Sequence, residues 1–151
     1  MRAWRIAARK YALDRTGTGA WMDGGRWNSR NVHAIYLGTT AEICALEKLV
    51  HAGRPFPDKL VLVSATLPDD PGLYLKPARH RLPKDWRAVP SPASTAKFGD
   101  RIISAGAYLG FYVPSVLMPE TYNLILNPHH PRMAEVSFKI VRQFEFDPRL
   151  R

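Results

Sequence analysis

Six short runs of β-branched and aromatic residues constrain the fold of this chain more than any other feature of its sequence. Runs of this length and composition are typical of strands. The predicted strands are Ala3–Ala7, Val32–Leu37, Leu60–Leu67, Tyr108–Val113, Tyr122–Leu126 and Val136–Val141. Few stretches have a helical pattern, so many short strands with few helices predict a mixed fold of the α/β or α+β class.

The clearest helix pattern runs from Ala41 to Ala52. Thr39 and Glu42 have the three-residue spacing of a capping box, which predicts the start of the helix. Gly53 followed by Pro55 predicts its end, because neither residue continues a helix well.

A second helix is predicted from Ser94 to Ala107, and residues 68–92 form an irregular connection with one short helical turn near Trp86. Upstream, a glycine pair and an Asn-Ser-Arg-Asn stretch bracket Arg26 and Trp27. This pattern predicts a hairpin arm before the second strand.

Length and composition limit the class of protein. The chain has 151 residues, which predicts a single domain over residues 1–151. No apolar run approaches the roughly 18 residues that span a bilayer, and no apolar segment of a secretory signal follows the first charges. Cys44 is the only cysteine, which excludes an internal disulfide. We therefore expect a cytoplasmic protein that does not contact a membrane.

The charge balance is strongly basic. Lys and Arg number 22 against 13 Asp and Glu, which gives a net charge of +9. Such a balance favours anionic partners, namely nucleic acid, a phosphorylated cofactor or an acidic protein. It is also compatible with nothing more than a soluble basic surface.

Glu47 is the first candidate functional residue. At about 100° per residue, Ile43, Leu46 and Val50 point to one side of the predicted helix. Glu47 falls about 40° from Ile43 on that wheel, at the flank of the apolar face. The alternative interpretation is a boundary glutamate that leans into water and pairs with a basic neighbour such as His51.

Arg26 and Tyr36 are the second and third candidates. Arg26 follows two glycines, which allow a ligand to approach closely, and its guanidinium can bind a phosphate through two hydrogen bonds. Tyr36 lies late in an apolar strand, where its ring could stack against a ligand. The alternatives are an arginine stacked on Trp27 and a tyrosine of the core.

Ser115 is the fourth candidate, because it follows Val113-Pro114 and the proline fixes the direction in which the chain leaves the strand. No Gly-x-Ser-x-Gly pattern surrounds it, so a hydrolase nucleophile has little support. His129 and His130 are adjacent, but no third metal ligand is evident, and we predict no metal site.

Both halves of the sequence resemble the RES domain family. The first half does so through Gly24-Gly25-Arg26-Trp27-Asn28, the strand with Tyr36, and Ala45-Leu46-Glu47-Lys48-Leu49-Val50-His51. The second half does so through Phe98-Gly99-Asp100, Val113-Pro114-Ser115, Tyr122-Asn123-Leu124-Ile125-Leu126-Asn127-Pro128 and Phe146-Asp147-Pro148-Arg149-Leu150. The resemblance covers essentially the whole chain, and the Arg, Glu and Ser that give the family its name map onto Arg26, Glu47 and Ser115.

The resemblance implies an α+β domain similar to ADP-ribosyltransferases, with a split mixed β-sheet and flanking helices around an NAD cleft. It implies a toxin of a type II toxin–antitoxin pair, neutralised by an Xre-like helix-turn-helix antitoxin. The implied activity is hydrolysis or phosphorolysis of NAD, or ADP-ribosylation of a protein. NAD is then a substrate and no bound prosthetic group is expected, while DNA is contacted only indirectly, through the antitoxin.

The candidate residues suit that chemistry. Breaking the bond between nicotinamide and ribose leaves positive charge on the ribose, which the Glu47 carboxylate would stabilise. Arg26 would clamp the pyrophosphate, Tyr36 would stack against nicotinamide or its ribose, and Ser115 would hydrogen-bond the nicotinamide end or the nearby ribose. The sequence leaves open whether water, phosphate or a protein side chain accepts the ribosyl group.

Two other functions stay open at this point. An RNA-cleaving toxin would use the basic surface, with His129, His130 and Arg132 as acid–base and phosphate-binding groups. A non-catalytic interaction module would use the same basic surface only to bind an acidic antitoxin.

Overall fold

The computed structural model describes residues 1–52 and 59–150. In this part of the chain the strands are β1 (Arg2–Ala8), β2 (Ile35–Gly38), β3 (Leu60–Thr66), β4 (Tyr74–Leu75), β5 (Gly110–Pro114), β6 (Tyr122–Leu126) and β7 (Ser137–Phe144). The α-helices of the same residues are α1 (Thr18–Asp23), α2 (Ala41–His51) and α3 (Ala93–Ala105). Short 3-10 helices cover Arg9–Tyr11, Pro71–Leu73, Arg79–Arg81 and Pro131–Glu135. None of the described helices is long and apolar enough to cross a membrane.

The strands form one mixed sheet in the order β4-β5-β6-β2-β1-β3-β7. Only β4 and β5 run parallel, and the other neighbours are antiparallel. The joint between β1 and β2 consists of a single residue pair, Trp4 with Gly38. The sheet is thus split into a block of β4-β5-β6-β2 and a block of β1-β3-β7. This confirms the expected α+β fold with a split mixed sheet.

The six predicted strands are all present; β6 has its predicted bounds, and the other five have shifted ends. Strand β2 begins at Ile35 instead of Val32, because a turn at residues 30–31 precedes it and its pairing with β6 starts only at Ile35. Asn31 has a φ of 69°, and the Asn28 side chain donates a hydrogen bond to the Val32 carbonyl. The predicted hairpin arm is reduced to an isolated bridge between Gly25 and Asn28.

Helix α2 begins at Ala41 as predicted, but its N-cap lies one residue after the residue that the capping pattern indicates. The N-cap is Thr40, whose Oγ1 accepts a hydrogen bond from the Ile43 amide at 3.3 Å. Thr39 instead donates its hydroxyl hydrogen to the Tyr122 carbonyl on β6 at 2.9 Å. The predicted cap at Thr39 is therefore wrong, since that side chain joins the helix entrance to the sheet. The predicted stop at Gly53 and Pro55 lies outside the described residues.

The buried face of α2 also differs from the prediction. Leu46 and Val50 are 39% and 60% exposed, whereas Ile43 and Cys44 are buried. The reason is the close approach of α2 to Gly38, where a Cβ atom would lie 2.5 Å from Cys44 Sγ and 2.6 Å from Ile43 Cγ2. The helix is therefore rotated so that the stripe of Ile43 and Cys44 faces the sheet, and residue 47 continues that stripe at helical spacing.

The Cys44 thiol is a packing group at this joint. It donates a hydrogen bond to the Trp4 carbonyl at 3.2 Å, and burial raises the pKa of Cys44 to about 12. A thiol with so high a pKa is protonated at neutral pH and is a poor nucleophile.

Helix α3 packs on the turn that carries Trp27. A Cβ atom at Gly99 would overlap the Trp27 carbonyl oxygen, so only glycine permits this contact. One residue on, the Asp100 carboxylate accepts hydrogen bonds from the Ser29 amide at 2.9 Å and the Ser29 hydroxyl at 2.5 Å. The helix ends at Gly106, which has a φ of 66°, close to the predicted end.

Substitution of Gly99 by alanine tests this contact. We expect Gly99→Ala to lower the free energy of unfolding by about 2–3 kcal/mol, because either α3 or the backbone of the turn must move. The measurement is denaturant unfolding followed by circular dichroism. Gly19→Ala is the matched control, because its Cβ would have no atom within 4 Å. Equal stability of the two variants would contradict the close packing of α3.

Candidate functional site

Glu47 is held by two side chains from the other side of the sheet joint. The Ser115 hydroxyl donates to Glu47 Oε1 at 2.8 Å, and the Asn123 side-chain amide donates to the same oxygen at 3.0 Å. Ser115 directly follows β5, and Asn123 lies on β6 next to it. The carboxylate therefore points toward the sheet, and its orientation is fixed by two donors that are distant in sequence.

Ser115 is completely buried, and every hydrogen-bonding position of its hydroxyl is used. Its oxygen accepts hydrogen bonds from the amides of Leu117 and Met118, at 3.1 and 3.3 Å. The hydroxyl hydrogen is thereby directed at Glu47. Direct contact with a ligand, as predicted for Ser115, would require these hydrogen bonds to be exchanged, so the geometry supports a positioning role.

The second carboxylate oxygen of Glu47 lies on the more open side. His51 Nε2 lies 3.7 Å from Oε2, one helical turn further along α2. The Glu47 side chain is 27% exposed and the His51 side chain is 76% exposed. The expected pairing of a boundary glutamate with His51 is thus present, but the carboxylate does not lean into water. One oxygen is held by Ser115 and Asn123, and the other lies beside His51 on a side chain that is still partly exposed.

Arg26 is anchored in the turn between α1 and β2. Its Nη1 donates to the carbonyl oxygens of Trp86 and Ala88, both at 2.9 Å. Burial lowers the pKa of the Arg26 guanidinium, while Glu47 and Tyr36 act in the opposite direction. An arginine keeps its charge under such influences. A fixed cation therefore lies within electrostatic range of the Glu47 carboxylate and the Tyr36 phenol.

Tyr36 is held through its hydroxyl group on β2. The oxygen accepts a hydrogen bond from the Trp27 amide at 3.0 Å, and the hydroxyl donates to Asn28 Oδ1 at 2.7 Å. Burial raises the pKa of Tyr36 far above its ordinary value, so the phenol is neutral. Both roles of the hydroxyl are taken, and the ring packs against the core cluster that includes Trp27 and Phe111, in agreement with the alternative of a core tyrosine.

Asn28 holds the turn that carries Arg26. It is 1% exposed, and its Nδ2 donates to the carbonyls of Ala20, Val32 and Ser29, at 2.8, 2.9 and 3.1 Å. Together with the bond from Tyr36, the amide is fully used. A buried, satisfied side-chain amide of this kind fixes one backbone conformation.

Asn28 and Asn123 were not singled out by the sequence reasoning, although both lie in segments that carry the family resemblance. For Asn123 the available signal was a polar side chain between Tyr122 and Leu124 in an apolar strand, whereas Asn28 follows Trp27 in a polar turn sequence that gives no such signal. A buried amide in such a position must have partners. Its partners, however, cannot be read from the sequence.

The three residues considered for RNA cleavage have separate partners in the structure. The His129 ring lies against His33, with centroids 4.9 Å apart. His130 Nδ1 accepts a hydrogen bond from the Arg132 amide, and the Arg132 side chain pairs with Glu135. In the described part of the chain, no group of three or more His, Cys, Asp or Glu residues could hold a metal ion.

Comparisons with known proteins agree with this architecture. The RES domain family model matches residues 2–148. The chain is 36% identical over 154 aligned residues to Toxin Res of Yersinia enterocolitica, with all of both chains covered. It is 35% identical to the Prs ADP-ribosylating toxin of a Sphingobium species, covering 97% of this chain and 94% of that protein.

A solved structure has the same fold. The crystal structure of the M. tuberculosis MbcT-MbcA toxin-antitoxin complex matches with a TM-score of 0.74 at 20% identity, over 99% of this chain and 85% of that chain. A match at 20% identity shows a common fold, whereas the family model and the sequence relatives show common descent. The chain, a relative of bacterial toxins, belongs to the RES domain family.

Proposed function

We propose that this protein is a bacterial toxin that consumes NAD by cleaving the bond between nicotinamide and ribose. The observation that carries the proposal is the Glu47 carboxylate, held through one oxygen by Ser115 and Asn123 on a side chain that stays partly exposed. A carboxylate fixed before the substrate arrives stabilises a positive charge that develops next to it.

The proposed reaction depends mainly on the negative charge of the Glu47 carboxylate. The bond between ribose C1′ and the nicotinamide nitrogen breaks, and its electron pair leaves with nicotinamide, which becomes neutral. The ribose turns into an oxocarbenium-like cation, which the Glu47 carboxylate stabilises across a short gap while accepting a hydrogen bond from a ribose hydroxyl. The leaving group is already cationic in NAD, so no strong general acid is required.

Arg26 and Tyr36 complete the proposed substrate site. The Arg26 guanidinium is held through one nitrogen by the Trp86 and Ala88 carbonyls, which sets the direction of its remaining N–H groups. Those groups bind the pyrophosphate of NAD, since a guanidinium matches two phosphate oxygens. The Tyr36 ring stacks against nicotinamide or its ribose.

The names of the relatives support transfer of ADP-ribose to a protein as well as consumption of NAD. A relative with 35% identity is called an ADP-ribosylating toxin, and three others are called Toxin Res. The acceptor at C1′ is water, phosphate or a protein side chain. The products distinguish these, since water gives ADP-ribose, phosphate gives a phosphorylated ADP-ribose, and a protein acceptor gains mass.

We further propose that an Xre-like antitoxin neutralises the toxin in the cytoplasm, and that DNA is contacted only through that antitoxin. A solved relative in fold was crystallised as a toxin–antitoxin complex, which supports a protein partner. The net charge of +9 favours an acidic partner segment.

Replacing Glu47 by glutamine is the central test. Glu47→Gln keeps the size of the side chain and removes its charge, so release of nicotinamide should fall at least about 100-fold. The measurement is chromatography of NAD, nicotinamide and ADP-ribose after incubation with purified protein, alongside circular dichroism to check the fold. Glu120→Gln, at an exposed position, should retain full activity. An active Glu47→Gln variant, or RNA cleavage by a wild-type protein that leaves NAD unchanged, would refute the proposal.

Arg26→Lys tests the pyrophosphate contact. A lysine keeps the charge but provides no planar pair of donors, so kcat/KM for NAD should fall by about tenfold or more. Arg87→Lys is the matched control on the exposed neighbour of Trp86 and should leave kcat/KM unchanged. Thermal unfolding of both variants separates loss of binding from loss of the hydrogen bonds to Trp86 and Ala88. Unchanged kinetics of Arg26→Lys would remove the arginine from the substrate site.

Asn123→Asp tests the positioning of Glu47 through the pH dependence. The substitution replaces a donor with a second carboxylate beside Glu47, and two neighbouring carboxylates raise the pKa of one of them. Since the ionised form is required, activity should be lost at a higher pH as the solution is acidified. We expect the acidic limb of the kcat/KM profile to move up by about one pH unit or more. Asn31→Asp, at an exposed turn position, should leave the profile unchanged, and an unmoved limb in Asn123→Asp would contradict the role assigned to Asn123.

A further inference from the structure

A second concave surface lies beside helix α3, formed by residues that the Glu47 site does not use. Two adjoining cavities of about 240 and 390 Å³ share Phe98 and Arg101 in their walls. Because they share these walls, we call the two cavities together the α3 groove. It runs from the 3-10 helix Arg79–Arg81 to the loop that precedes β5.

The floor of the α3 groove is apolar. It consists of half-buried or buried side chains from the β4 region, the connection before α3 and α3 itself, namely Leu75, Leu82, Phe98, Ile102 and Tyr108. Most of these side chains are aliphatic, so the floor is uneven and not a flat platform. An uneven apolar floor is suited to aliphatic side chains of a partner rather than to the planar face of a base.

The rim of the α3 groove is cationic. Arg81, Lys97 and Arg101 are exposed and line its walls. None of the three forms an ion pair with another residue among 1–52 and 59–150. Of the nearby carboxylates, Asp85 accepts a hydrogen bond from Ser94 at one end, and Asp100 is turned away toward Ser29. The positive charge of the rim is therefore not compensated from within the groove.

We propose that the α3 groove binds an acidic amphipathic segment of a partner protein. Its apolar side chains would contact the floor, and its carboxylates would pair with the rim cations. The separation of an apolar floor from a charged rim matches the apolar and charged faces of an amphipathic helix lying in a groove. A built phosphate site is a poorer match, because the three cations are exposed and their side chains form no hydrogen bond with the part of the chain that the structure describes. The proposal stands apart from the NAD chemistry, since no residue of the groove contacts Glu47.

The first experiment uses a defined probe, a fluorescent peptide of about fifteen residues with Leu and Glu at helical spacing. Fluorescence anisotropy should show binding that weakens as salt is added, because the rim charges are exposed. Lys97→Glu/Arg101→Glu should weaken binding at least tenfold. The matched control Lys139→Glu/Arg142→Glu, on β7, changes the net charge equally and should weaken binding far less. Consumption of NAD should stay at the wild-type level in both variants.

A second variant tests the apolar floor of the groove separately from the charge of its rim. Tyr108→Ser removes an aromatic ring from the floor without changing the charge, and it should weaken peptide binding at least threefold. Tyr11→Ser, at a position that is 60% exposed outside the groove, is its control and should have no effect. A peptide of the same composition in permuted order, without an apolar face, should bind at least tenfold more weakly.

Three outcomes would overturn the proposal. The first is equal binding of the two peptides, or equal loss in the two charge-reversal variants, which would indicate attraction by the net charge alone. The second is tighter, groove-dependent binding of an oligothymidylate of similar length, which would assign the groove to single-stranded nucleic acid. The third is absence of peptide binding at low salt. Loss of NAD consumption in Glu47→Gln with retained peptide binding would support both proposals independently.

Discussion

A carboxylate turned toward the interior must find hydrogen-bond donors there, because burying an unpaired charge is costly. Glu47 meets this requirement with Ser115 and Asn123, which belong to the block of β4-β5-β6-β2. Its own helix also packs on β1, in the other block. Since β1 and β2 share a single residue pair, the hydrogen bonds to Glu47 help to hold the two blocks together as well as to orient the carboxylate. The site and the joint of the sheet are one structural feature.

The turn that carries Arg26 is held by polar contacts instead of regular secondary structure. Asn28 binds three carbonyls and the Tyr36 hydroxyl, and Asp100 binds Ser29. Such contacts are directional, so they specify the position of a loop more sharply than apolar burial does. The separate segments that carry the family resemblance thereby meet in space, with Gly99 and Asp100 against the turn around Trp27.

The sequence was sufficient for features that depend on local pattern. Strand β6 and the start of α2 were predicted with their observed bounds, since periodicity and turn residues are local signals. The failures have non-local causes. Thr39 is not the cap because its hydroxyl donates to the Tyr122 carbonyl. Leu46 is exposed because α2 approaches Gly38 closely with the side that carries Ile43. The two-residue strand β4 and the short helix α1 carry too few residues for a periodic signal.

The same reasoning explains why Glu47 could be singled out but its environment could not. An acidic residue at the edge of an apolar helix face is visible on a helical wheel, whereas its partners come from strands far away in the chain. Helix α3 has different contacts on its two sides. Its inward side contacts the turn of Arg26 through Gly99, and its outward side carries Lys97 and Arg101. Phe98 lines the groove and also packs edge-on against Trp27 at 6.0 Å, so one packed unit serves both the turn of Arg26 and the groove.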